Sequence, residues 1–259
     1  MLPGLRLGAA LSDRVTVANN AAIQDVMPVT FLVVVAPTSL TANRCFFMKG
    51  SAAGASRKYI RIDASSNIGV LVDRSTTDTT YGTNSAPLVA GVVNYIGVTI
   101  DTSASPVVRI YHGLANTPMR EATYGTTTDG SGTVASDSGT SAQLFNVFAV
   151  DSPLQGDCYA LQMVAGILPL AQMHEWQRDG NNPVMLGSRG AWDLGAQGQV
   201  IVRDKAGYGH GTVTGAVLSP SPIGRRAEKI RRVVSPVAAA SFLSAWARGS
   251  NAIYQPGVC

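Results

Sequence analysis

The sequence predicts an all-β protein: an antiparallel β-sandwich with one or two short helices and a C-terminal arm. Three observations predict it. Val92–Gly113, VVNYIGVTIDTSASPVVRIYHG, reads as two strands folded back on each other. Only 14% of the 259 residues are charged, and Gly, Ser and Thr are abundant, which suits strands and turns better than amphipathic helices. The apolar runs are short and β-branched, and polar turn segments separate them.

The hairpin is the clearest element. From Asn94 to Ile100, Tyr95, Gly97 and Thr99 alternate with Ile96, Val98 and Ile100. Asp101–Pro106 is a polar turn, and Val107–Tyr111 alternates again. Before it, Val15–Ala18 fits a first strand, and Ala21–Val26 is ambiguous. Thr30–Ala36 has the Val content of a strand buried on both faces, ended by Pro37. Cys45–Met48 is the next strand. Tyr59–Asp63 sets Tyr59, Arg61 and Asp63 against Ile60 and Ile62; after the turn Ser65–Asn67, Ile68–Val72 returns.

Asp73–Ala86 reads as a loop holding at most one short strand. Met119–Gly125 is a strand, and the Gly/Ser/Thr-rich run Thr126–Ser141 is a long exposed loop, of the kind that is functional or mobile. Gln143–Val150 and Tyr159–Ala165 are further strands. Pro169–Arg178 has helical spacing and stops at Gly180. Gln199–Arg203 and Thr212–Leu218 close the strand set. Pro236–Arg248, Ala-rich with Phe242, Leu243 and Trp246, predicts a second helix ended by Gly249.

Charge divides the chain at Gly224. Residues 225–259 hold six basic residues and one acid, +5; residues 1–224 hold fourteen basic and fifteen acidic, −1. The pI of 9.1 therefore belongs to the tail, and the body does not read as a nucleic-acid-binding domain. The cysteines, Cys45, Cys158 and Cys259, fit no metal spacing; the first two sit in apolar strands and read as buried thiols. No signal peptide is expected in MLPGLRLGAAL, and no apolar run approaches the ~20 residues that span a bilayer.

The pieces FLVVVAPTSL, CFFMKGS, YIRIDASSNIGVLVD, NYIGVTIDTSASPVVRIYHG and LFNVFAVDSPLQGDCYALQMVAGILPLAQMHEWQ follow one another in an order that resembles the LamG-like, concanavalin A-like jelly-roll family of lectin and glucanase domains. In that family a strand pair ends in a Tyr-x-Asn-Gly turn; Tyr111-His112-Gly113 stands there, one residue short. Gly156-Asp157, the strand Tyr159–Ala165 and the helix match the family's last strand and its helix. Asp204-Lys-Ala-Gly-Tyr-Gly-His-Gly-Thr-Val-Thr-Gly215 looks like the family's Asp-x-Ser-Gly-x-Gly-x-His-Gly-Thr segment, displaced to follow the helix. LamG-like proteins of tailed bacteriophages look similar in this order and in a basic tail. The resemblance covers roughly residues 15–224 and implies a jelly roll.

Enzyme chemistry is thin. Glu121, Glu175 and Glu228 are the only glutamates, widely spaced, and the Glu-x-Asp-x-x-Glu strand of jelly-roll glucanases is absent. His112, His174 and His210 fall in a turn, a helix and a Gly-rich loop; His210 reads as holding its own loop. Calcium enters through the family, with the pairs Asp73/Asp78 and Asp151/Asp157 against the alternative of turn aspartates capping their own backbone. Tyr81, Tyr124 and Tyr208 are loop tyrosines, either sugar platforms or packing lids. Arg225, Arg226, Arg231 and Arg232, with Phe242, Leu243 and Trp246, suit a docking arm better than a nucleic-acid site.

The expected protein is one jelly roll, residues 1–224, with a basic helical arm, residues 225–259. The expected role is that of a non-enzymatic structural protein of a bacteriophage virion, made in the host cytoplasm, as a capsid-decoration or tail-associated subunit. Its partners would be other virion proteins, with a homo-oligomer or lattice neighbour expected. The alternative is a lectin-like module that recognises a cell-surface glycan. No membrane partner is expected, and calcium is the one cofactor considered.

Overall fold

The structure is a computed structural model. It describes residues 4–7, 10, 13–41, 43–50, 56–85, 87–147, 152–179, 184–194, 201–215 and 217–219. The arm at 225–259, with its predicted helix, and Cys259 lie outside the described residues.

Seventeen strands and one helix are described. The first eight strands are β1 Gly4–Leu7, β2 Arg14–Val17, β3 Val29–Pro37, β4 Arg44–Lys49, β5 Lys58–Ile62, β6 Ile68–Val72, β7 Thr79–Thr83 and β8 Asn94–Ile100. There follow β9 Val108–Leu114, β10 Thr117–Glu121, β11 Tyr124–Thr128, β12 Ala142–Leu144, β13 Gly156–Ala165 and the helix α1 Leu170–Asp179. The last four are β14 Ser188–Asp193, β15 Ile201–Val202, β16 Gly211–Thr214 and β17 Val217–Ser219. All pairings are antiparallel, in two sheets. One runs β10-β9-β8-β3-β13-β1-β17, with β14 also on β13; the other runs β11-β7-β6-β5-β4-β12-β2-β16-β15. The fold is the predicted antiparallel jelly-roll sandwich.

The main core lies between the sheets. Val29, Phe31, Val33 and Val35 of β3 point into it, and so do Ile60 and Ile62, Val70 and Val72, and Leu161 and Met163. Phe31 packs on Phe47 with ring centroids 4.6 Å apart. Cys45 and Cys158 are buried free thiols; burial pushes both well above the usual thiol range.

The eight-stranded sheet is also covered on its outer face. Leu32, Val34, Tyr95, Tyr111 and Met119 meet Met173 and Trp176 of α1 there. This explains why β3 and β8 are buried on both faces. Gly97 makes room for the helix: a Cβ at that position would stand 2.9 Å from the Met173 sulfur. Gly97→Val should therefore cost about 1–3 kcal/mol by overpacking. Urea unfolding checks this, and an unchanged midpoint would show that the helix is not seated on Gly97.

Several predicted elements need correction, each for a physical reason. Met119–Gly125 is not one strand: β10 belongs to the first sheet and β11 to the second, so the chain changes sheets at Ala122-Thr123. Thr212–Leu218 breaks the same way at Gly215, which sits at φ +76° between β16 and β17. The strand at Gln143 stops at Leu144, because Phe145 takes φ +65°. Tyr111-His112-Gly113 is strand, not turn; β9 continues to Leu114, and the turn is Ala115-Asn116.

The run after Thr126 is not a free loop. Thr126–Thr128 completes β11. Asp129 then accepts hydrogen bonds from the Tyr81 hydroxyl, the Val107 amide and the Ser105 hydroxyl, which hold its carboxyl below the usual range. Ser131 and Val134 bridge back to Thr77 and Arg74. Asp137 is 2% exposed and receives Lys49 Nζ at 3.1 Å and Lys58 Nζ at 2.7 Å. Lys49 Nζ also donates to Asn19 Oδ1, Asp137 O and Thr140 O at 2.8–2.9 Å. Asp25 exchanges backbone–carboxylate bonds with Asp137, so both loops are pinned to the end of β4.

Candidate binding face

The two predicted platforms Tyr81 and Tyr124 are not loop residues. Tyr81 lies in β7, is 2% exposed, and meets Tyr124 edge-on at 5.6 Å. Its hydroxyl faces Asp129, and burial pushes its pKa up to about 12. Tyr124 opens β11; its hydroxyl donates to Glu121 Oε1 at 3.0 Å and accepts from the Ile110 amide at 2.9 Å. Both rings are occupied in packing. Tyr208 alone of the three is exposed, at 47%.

Three of the four aspartates named for calcium are engaged otherwise. Asp73 is buried against Arg57, which bonds it from its amide at 2.6 Å and from Nε at 3.1 Å. Asp78 accepts from the Arg74 amide at 2.9 Å, the turn-capping alternative. Asp157 forms a two-pronged pair with Arg6 at 2.8 and 3.0 Å. Asp151 lies outside the described residues. Among the described residues, no three of His, Cys, Asp and Glu gather as a metal set.

The histidines are separate. His112 is half-buried in β9 beside Asn94 Oδ1 at 3.0 Å, and burial lowers its pKa. His174 bonds Met119 O at 2.6 Å from the helix. His210 Nδ1 accepts from the Asp204 amide at 3.1 Å and so does hold its own loop.

The Asp204 segment is a clasp. Asp204 is 4% exposed, and its two oxygens accept from four backbone amides: Ala191 at 2.7 Å, and Ala206, Tyr208 and Gly209 at 2.9 Å each. Trp192 Nε1 donates to Gly209 O at 2.9 Å. The glycines let the loop curl around one carboxylate, with Gly207 at φ +84°. The carboxylate is spent on its own backbone, which makes this a fixture of the fold.

The outer face of the nine-stranded sheet is different. The one described helix packs on the other sheet. Tyr59, Arg61, Gly69, Leu71, Thr80 and Gly82 point outward, as the alternating burial of β5, β6 and β7 shows. Register sets two rows across four strands: Arg61–Gly69–Gly82–Thr126 and Tyr59–Leu71–Thr80–Thr128. Gly69 has no side chain, so Arg61 lies down across it; a Cβ there would be 3.6 Å from Arg61 Cγ and 3.8 Å from Nε. The guanidinium carbon stands 5.0 Å over the Tyr59 ring. Beyond it, Gly82 leaves a gap floored by backbone and walled by Thr126. An aromatic ring, a flat cation, threonine hydroxyls and a glycine floor thus share one accessible patch. Tyr59 and Arg61 were legible as one outward face in the alternation of Tyr59–Asp63; the glycine row needed the register.

No protein-family model matches the sequence, and no curated protein matches it. Solved structures do. A candidate carbohydrate-binding protein from Bacteroides ovatus superposes with TM-score 0.57 at 13% identity, over 85% of this chain and 59% of that one. The enzymatically active domain of tailspike protein 2 of bacteriophage CBA120 gives TM-score 0.50 at 16% identity, over 76% of this chain and 34% of that one. Domains LG4-5 of mouse laminin alpha1 give TM-score 0.42 at 10% identity, over 62% of this chain and 40% of that one. The chain thus spans about three-fifths of the first of these proteins and a third of the second. The likeness to the first two shows the fold, a jelly-roll β-sandwich.

Proposed function

We propose that the chain is a non-enzymatic structural component of a bacteriophage virion, a capsid-decoration or tail-associated subunit, whose jelly roll presents a glycan-binding face. The observation that carries the glycan reading is the accessible Tyr59–Arg61 patch beside the Gly82 gap. The ring with its flat cation and the neighbouring hydroxyls offer a sugar apolar and hydrogen-bonding contacts side by side. The fold is shared with a candidate carbohydrate-binding protein and with a phage tailspike domain. The non-enzymatic reading is supported by the separate engagement of the histidines and by Glu121, whose oxygens take Arg109 and Tyr124. Tyr208 remains a candidate contact by its exposure.

The particle reading rests on the basic, apolar tail. Residues 225–259 would dock on a neighbouring subunit through Phe242, Leu243 and Trp246, with the arginines facing acidic surface. Density-gradient fractionation of the source lysate, with mass spectrometry, should find the chain in heavy DNA-containing particles at high copy. Deleting 225–259 should abolish incorporation and leave the sandwich folded. Recovery of the full chain only as free protein would overturn the virion role; a glycan array would then decide for the lectin-like module alone.

A further inference from the structure

We infer that the glycan taken by the Tyr59–Arg61 face is anionic, carrying a carboxylate or a sulfate ester. This rests on the reading of that face as a glycan site. The nine strands of the sheet contain no Asp or Glu, and Asp63, just past β5 on the same face, gives its carboxylate to the amides of Ser65 and Asn67. Their two inward lysines, Lys49 and Lys58, are balanced by Asp137 and Asp25. Arg6, Arg57 and Arg109 pair with Asp157, Asp73 and Glu121, while Arg44 and Arg74 bond backbone carbonyls, of Pro153 and Gly132. Arg61 has neither kind of partner among the described residues, and its contact is the Tyr59 ring. It is half-buried, and its Nε is shielded from water with no hydrogen-bond partner.

A partly desolvated guanidinium without a counter-ion favours a planar or tetrahedral oxyanion, which its fork can grip with two bonds. Arg61 cannot swing far, because it lies between the Tyr59 ring and the Gly69 backbone. Its position is therefore preformed, and the ordering cost of a flexible arginine is avoided. The anionic group would meet Arg61, and the neutral part of the sugar would extend over Gly82 toward Thr80, Thr126 and Thr128. That fixes one direction of approach along the row.

The test uses the full chain and three polymers: a polyuronate, dextran sulfate and neutral dextran. Expected are binding to one or both charged polymers, none to dextran, and weakening with salt. Arg61→Gln should lower affinity at least tenfold, as loss of a charge-assisted bond does, and Arg61→Lys should restore part of it. Gly82→Val, whose Cβ meets Thr126 only at ordinary contact distance, should leave stability unchanged and block binding. Charged-polymer binding that persists in Arg61→Gln and Gly82→Val would place the contact on the basic tail and overturn the inference. Equal binding of dextran, insensitive to Arg61→Gln but lost in Gly82→Val, would overturn the charge while keeping the glycan face. An empty glycan array together with no polymer binding would remove both.

Discussion

Replacing Asp137 by Ala should destabilise the protein by about 3–5 kcal/mol, as breaking a buried ion pair from one side does. The side chains of Lys49 and Asp137 are 1% and 2% exposed, and that of Lys58 is 8% exposed. Removing one carboxylate leaves two ammonium groups out of water, with Asp25, 3.7 Å from Lys58, as the nearest remaining charge partner. Burial lowers the Lys49 pKa, and Asp137 is the main group that opposes this. Urea unfolding would measure the loss. The double variant Asp137→Ala/Lys58→Met should recover part of it, because one orphaned charge is gone and the two sites are coupled. Limited proteolysis should cut within residues 129–141 in the single variant. A loss under ~1 kcal/mol would mean the cluster is solvated and does not pin the loop.

The second large effect belongs to Asp204. Asp204→Ala strips the acceptor from four amides at once, and each buried donor left unmade costs about 1–3 kcal/mol. The amides sit in one loop and can partly relax together, so the expected total is about 3 kcal/mol. Asp204→Asn keeps one acceptor oxygen and should fall between. Because Trp192 is tied to Gly209, its fluorescence should shift toward that of a solvated indole in the Ala variant. An Ala variant as stable as the parent would show that the loop does not depend on the clasp.

These two sites mark where the sequence was readable and where it was not. Local alternation revealed the Asn94–Tyr111 hairpin, the outward pair Tyr59 and Arg61, and the helix after Pro169, because each signal lies within one element. What crosses elements was hidden. Asp137 sat in a Gly/Ser/Thr run that looks like any exposed loop; its two lysine partners are 79 and 88 residues away. Tyr81 looked like a loop tyrosine because the strand TTYGT is polar, yet its alternate residues face the core. β1 was missed because four residues give no periodicity, and its place is set by partners far along the chain, β13 and β17. The candidate face combines both cases: its ring and cation were legible, whereas the row Arg61–Gly69–Gly82–Thr126 exists only through pairing.

The pairing of β1 with β17 has a mechanical consequence. Gly4 stands opposite Ser219, and Arg6 opposite Val217, in antiparallel register. Tension applied at residues 4 and 219 would therefore act at the same end of a three-pair ribbon. Such a load peels hydrogen bonds one after another, where a shearing load would strain them together. A sandwich attached through both flanks would give way first at this seam, and the Tyr59–Arg61 patch, in the other sheet, would be spared the first rupture.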